Sequence, residues 1–175
     1  MISDHIKGRK QYDHDPAVLA GIRLHREIDQ FTDNHEAIKK AKEYFRPVYR
    51  LYSGALVDVV FDHFLAIEPS VFSEASLFAF SQKVYAELDK QQAIFPERFA
   101  YMYPYMKEQN WLYNYRLTSG TEKSLAGVVR RAAYLEDHAP AIQLFHQHYQ
   151  SIQEIFRQFW PELEAFAFKK WQDLK

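Results

Sequence analysis

Residues 55–66 read ALVDVVFDHFLA, and this stretch decides the fold. Wound at 3.6 residues per turn, Leu56, Val57, Val59, Val60, Phe61, Phe64 and Leu65 cover most of the circumference of a helix. Asp58 and Asp62 stand four residues apart, so both carboxylates share one direction, and His63 follows directly. A helix that is apolar on most sides is buried. Burying two ionised carboxylates on it is costly unless a cation, a hydrogen-bond network or a proton compensates. The stretch therefore calls for positive charge opposite Asp58 and Asp62.

The composition supports a helical surrounding. The chain has 175 residues, enough for one domain that buries most of its unfolded surface, and 17% of them are Phe, Tyr or Trp, which excludes disorder and gives a core of large rings. With only 5 Gly and 7 Pro as punctuation and few runs of period two, the expected fold is an all-α single-domain bundle over 1–175. The formal net charge of -1 provides no global field for nucleic acid or anionic lipid, so a charged partner must meet a local patch. Cysteine is absent, which excludes disulfide and thiol chemistry and fits a reducing compartment, and cytoplasm is the expectation. No apolar run approaches the roughly 18 to 20 residues that span a bilayer, and the N-terminus MISDHIKGRK has no signal-peptide core.

Outward from the central stretch, Asp15-Pro16 opens a helix to about residue 31 on which His25 and Asp29 are i, i+4 neighbours beside Arg26. Asp33 or Asn34 is positioned to cap the next helix, 35–51, where Pro47 predicts a kink or break. Ser73 caps a helix to about residue 92, and 96–117 reads as two short helices broken near Pro104. Thr121 is positioned to cap a helix to about 135, and Pro161 marks a bend or junction in the final pair of helices.

Asp4, His25, Asp29, Asp58, Asp62 and His63 are the candidates for a metal-centred site, because imidazole and carboxylate ligands suit Mn²⁺, Fe²⁺, Mg²⁺ or Zn²⁺. The competing reading makes Asp62 a partner of Arg26 and His63 an ordinary core histidine. Arg26 either grips a phosphate with its planar donor fork or neutralises Asp29 or Asp58. Lys39, Lys42, Arg46 and Arg50 fall near one helical line, and Arg130 and Arg131 are adjacent; both groups either dock an acidic protein or form solvated faces.

Taken in order, SDHIKG (3–8), AGIRLHREIDQFTDNH (20–35), EYFR (43–46), DVVFDHFLA (58–66) and WLYNYR (111–116) resemble the acyl carrier protein phosphodiesterase family. The blocks span most of residues 1–135, and the last 40 residues match in helical character alone. The resemblance implies an all-helical fold similar to the HD phosphohydrolases. It also implies hydrolysis of the phosphodiester joining 4′-phosphopantetheine to a serine of holo-acyl carrier protein, with Mn²⁺, or else Mg²⁺ or Fe²⁺, as cofactor. Carried onto this sequence, it makes Asp4, His25, Asp62 and His63 the metal ligands or their nearest neighbours, Asp29 and Asp58 orienting groups, and Arg26 the phosphate holder. Members of that family usually begin with a further segment of the type MNFLAHL before the SDH block, and the expectation is that this segment is missing before residue 1. Two other functions compete: a phosphohydrolase for a small phosphodiester or nucleotide, and a non-catalytic helical module for an acidic partner.

Overall fold

A proline with its φ already helical begins the first described element of the computed structural model, which describes residues 16–135 and 137–174. Helix α1 (Pro16–Asn34) leads into α2 (Glu36–Tyr49), a 3₁₀ turn (Arg50–Tyr52) and α3 (Ser53–Ala66). Then follow α4 (Glu74–Lys90), a 3₁₀ turn (Gln92–Ile94), α5 (Glu97–Glu108), α6 (Trp111–Asn114), α7 (Thr118–Arg131), α8 (Ala139–Gln147) and α9 (Tyr149–Asp173). The fold is all-α, as the composition implies. No helix among the described residues is long and apolar enough to cross a membrane.

Helix α3 is the axis, because its side chains are apolar nearly all round and must be covered on nearly every side. Helix α2 covers it with Ile38, Ala41, Phe45 and Tyr49, a stripe at helical spacing, and α7 with Leu125 and Val129. Phe145 of α8 and Ile152, Phe156 and Phe159 of α9 close the rest of this core. Helix α1 lies on α9, where Phe31 stacks on Phe166 with ring centroids 4.4 Å apart and Lys170 reaches Glu27 at 2.9 Å. A smaller cluster of Tyr85, Phe99, Tyr103 and Met106 joins α4 to α5. There the Tyr85 hydroxyl donates to the Met106 carbonyl at 3.2 Å and accepts from the Leu112 amide at 3.0 Å.

Three expected proline breaks are absent. Pro47, Pro104 and Pro161 each sit inside a continuous helix. One missing amide hydrogen bond is outweighed where large buried side chains flank it: Phe45 and Tyr49 around Pro47, Tyr103 and Met106 around Pro104, and Phe159 before Pro161. The chain turns instead at Arg50 (φ 44°), Asn110 (φ 46°) and His148, where α8 meets α9. The expected caps shift too. Asn34 belongs to α1, and His35 caps α2 by accepting the Ala37 amide on Nδ1 at 3.2 Å. Thr121 lies buried inside α7, which starts three residues earlier at Thr118. Ser73 does cap α4, in a reciprocal box with Ser76.

Candidate active-site cavity

The middle and last turns of α3 and the last turns of α1 face each other across a cavity of about 560 Å³, with α9 as its third wall. From α1 the spacing of four places His25, Asp29 and Asp33 along the cavity, and from α3 the same spacing presents Asp58 and Asp62. Phe156, Phe159 and Trp160 of α9 supply an apolar side. Both α3 carboxylates are open to the cavity, yet protein crowds them on the remaining sides and limits the water that can solvate their charge. That desolvation is the main reason the Asp62 carboxyl rises to about 7, with the charge of Asp58 adding to it. Asp58 rises to about 6 for the same reason, opposed by Lys42 and reinforced by Asp33 and Asp29.

The positive charge that α3 calls for is supplied only in part. Lys42 of α2 is half-buried, stands 3.7 Å from Asp33, and lies over Gly54, where a methyl group would meet its Cε at 3.2 Å. Its ammonium acts on Asp58. Among the described residues Asp62 accepts no hydrogen bond and closes no ion pair, so Lys42 leaves the deeper carboxylate uncompensated. His25 Nδ1 comes within 2.7 Å of Asp29 Oδ2 but out of line for a hydrogen bond, which leaves a buried ring nitrogen without a hydrogen-bond partner. An orphaned imidazole nitrogen beside four carboxylates is a donor set whose chemistry fits a hard divalent cation. Among the described residues no three of these groups close into a finished metal-binding geometry, and Asp4 lies outside those residues.

The structure separates the other candidates. His63, one residue beyond Asp62, points away from the cavity into the core and is 1% exposed. Its Nδ1–H donates to the Tyr115 carbonyl at 2.7 Å, so Nε2 is the acceptor for the Tyr149 hydroxyl at 2.8 Å. Burial lowers its pKa and keeps the ring neutral. Both nitrogens are therefore in use, and His63 is a core histidine rather than a ligand, because one residue along a helix turns the side chain by about 100°. Arg26 is exposed on α1 and does not line the cavity.

The basic groups divide as well. Lys42 leaves the expected surface stripe for the cavity edge, while Lys39, Arg46 and Arg50 remain exposed on α2 and its end. Lys39 pairs with Glu36 at 2.6 Å and Arg46 with Glu43 at 2.8 Å, which reduces the net charge of that face. Arg130 and Arg131 line a different cavity altogether, along α7. Asp33 is the site residue that the sequence reading placed wrongly, as a cap. Its signal was the continued spacing of four from His25 and Asp29.

Comparison with known proteins gives this geometry a context. The family model for acyl carrier protein phosphodiesterase matches residues 1–163, which extends past the blocks legible by eye. Proteins named acyl carrier protein phosphodiesterase from Photorhabdus laumondii subsp. laumondii and Yersinia pestis are each 29% identical over 171 residues. These alignments cover 97% of this chain and 86% and 89% of the respective relatives. The relative of that name from Serratia proteamaculans is 30% identical over 175 residues, covering 97% of this chain and 89% of its own length. No solved structure matches. A match over nearly the whole sequence, containing both acid-bearing helices of the cavity, shows that the chain belongs to the acyl carrier protein phosphodiesterase family of phosphoric diester hydrolases.

Proposed function

We propose that this chain hydrolyses the phosphodiester that links 4′-phosphopantetheine to a carrier-protein serine, releasing apo-acyl carrier protein, and that it does so with a divalent metal ion, Mn²⁺ first. The observation that carries the reading is the meeting of two i, i+4 pairs, His25–Asp29 and Asp58–Asp62, on one cavity in a chain of this family. His25, Asp29, Asp58 and Asp62 would hold the ion, with the remaining ligands drawn from residues such as Asp4. When bound, the ion supplies Lewis acidity toward a phosphate oxygen and toward water.

The protein's own groups do the rest. Asp58 and Asp62, whose desolvation favours the neutral acids, would release those protons on binding the cation, and its charge would balance the two carboxylates so formed. Lys42, held over Gly54 at the edge of the acid cluster, offers its ammonium to a phosphate oxygen on the open side. Phe156, Phe159 and Trp160 exclude water from the apolar side and strengthen each charge interaction within. The carrier protein docks on the exposed face of α2 through Lys39, Arg46 and Arg50. Incubation of the chain with holo-acyl carrier protein and Mn²⁺, followed by mass spectrometry, should show the carrier losing one phosphopantetheine mass. An unchanged carrier mass at all enzyme and metal concentrations would refute the reading.

A further inference from the structure

A second cavity, of about 640 Å³, runs along α7 on the side of α3 where Val59 emerges. Its floor is one face of α7, since Gly120, Ser124, Gly127 and Arg131 recur at spacings of four and three. From Gly120 to Arg131 the helix rises about 16 Å, so the cavity is elongated. Neither glycine has room for a methyl group without displacement. At Gly120 the added carbon would strike the Asn114 carbonyl, and at Gly127 it would stand 3.1 Å from Arg131 Nη1, which shows the guanidinium folded back over that bare position. Trp111 and Tyr115 provide an aromatic wall.

The charge here is the reverse of that in the acidic cavity. Lys123, Arg130 and Arg131 line it against the single acid Glu108, and among the described residues none of the three closes an ion pair. Three cations against one carboxylate leave an excess of about two charges, which matches a phosphate monoester near neutral pH better than a singly charged diester. We infer that this cavity binds the phosphate of an elongated phosphate monoester, with Arg131 and Lys123 on the phosphate oxygens, Arg130 beside them, and Trp111 and Tyr115 along the organic body. Phosphate oxygens accept the planar fork of Arg131, and an apolar chain covers the aromatic wall. The 4′-phosphopantetheine released in the proposed reaction belongs to this chemical class, and only that choice of physiological ligand rests on the proposed function.

The test is isothermal titration of the full chain in EDTA with 4′-phosphopantetheine, with unphosphorylated pantetheine and with inorganic phosphate. The phosphorylated ligand should bind at least about tenfold more tightly than pantetheine, and Lys123→Ala with Arg131→Ala should remove that advantage. Gly127→Ala, which displaces the guanidinium, should weaken binding several-fold, whereas Asp62→Asn should leave it unchanged. Should the double variant melt early, Lys123→Gln and Arg130→Gln at exposed positions repeat the measurement. Equal affinity for the two pantetheine forms, indifference to these cations, or dependence on Asp62 would each overturn the inference. Binding that persists in a chain unable to hydrolyse holo-carrier protein would leave the inference standing and count against the proposed reaction alone.

Discussion

Two cavities lie on either side of α3, and they differ in the sign of the charge left unbalanced. In the first, His25, Asp29, Asp33, Asp58 and Asp62 meet with Lys42 as the cation that acts on the cluster. In the second, Lys123, Arg130 and Arg131 gather around Glu108. The phenol of Tyr115 senses both: burial drives it up to about 12, the charge of Asp62 adds to the rise and Arg131 opposes it. In each cavity the protein has left charge that its own groups do not neutralise, and folding alone gives no reason to keep it. The ligands proposed above, a cation on one side and an anion on the other, would balance it.

The largest effect that would sharpen this contrast is expected at Asp62. Asp62→Ala should lower hydrolysis of holo-carrier protein by about a hundredfold or more, since it removes a proposed ligand of the cation. Activity of the purified variant within a few-fold of the parent would remove Asp62 from the chemistry. Its neighbour should behave in the opposite way. His63→Ala empties a core position and strands the Tyr115 carbonyl and the Tyr149 hydroxyl, so urea denaturation should report a loss of about 2–4 kcal/mol. A fully stable His63→Ala protein would contradict the neutral, doubly bonded histidine.

That pair of adjacent residues also shows what the sequence made legible. The density of apolar residues in α3 revealed a buried helix, and the i, i+4 spacing revealed that Asp58 and Asp62 share a direction, because both follow from local geometry. Whether His63 looked into the cavity or the core depended on which neighbours cover that side of α3, and Tyr115 and Tyr149 lie 52 and 86 residues away in the chain. Lys42 belonged equally well to a surface stripe until the approach of α3 brought Gly54 beneath it. The prolines failed as markers for a similar reason: a break is a local preference, and the rings around Pro47 and Pro161 are fixed by distant packing partners.

The next effects follow from proton linkage. With Asp58 near 6 and Asp62 near 7, Mn²⁺ must displace protons below neutrality, so its apparent affinity should rise by up to about tenfold per pH unit for each proton released in that range. Titration calorimetry at pH 5.5 and 7.5 checks this, and a flat profile would mean that the ion enters elsewhere. In EDTA the same two groups act on stability. Their folded pKa values lie above those of the unfolded chain, so the native state holds the extra protons between about pH 4 and 7. The stabilisation they contribute is full below about pH 4, falls progressively as pH rises, and is gone once pH passes the folded values near 6 and 7. His63 acts in the other direction, since its lowered pKa makes acid unfavourable. The difference in melting temperature between the parent and Asp62→Asn isolates the carboxylate: the variant should gain on the parent as pH increases from 5 to 8, and a constant difference would show that Asp62 is not desolvated.

The smallest expected effect is at the docking face. Lys39→Glu with Arg46→Glu should reduce kcat/KM for holo-carrier protein several-fold at low salt and less at high salt, because encounter between charged surfaces is screened. A small phosphodiester as substrate should show no such loss, and an equal loss for both would place these residues in the chemistry rather than in docking.

Gly54 has a meaning beyond the space it leaves. Alanine is preferred to glycine by up to about 1 kcal/mol in a helix interior and by less in a first turn such as that of α3, so Gly54 is still a residue that a search for greater stability would choose to change. Here the added methyl would press on the Lys42 side chain, and the ammonium would move relative to Asp33 and Asp58. The missing carbon thus fixes a distance between charges, and a variant selected only for a higher melting temperature would alter the electrical setting of the cavity without touching any charged residue.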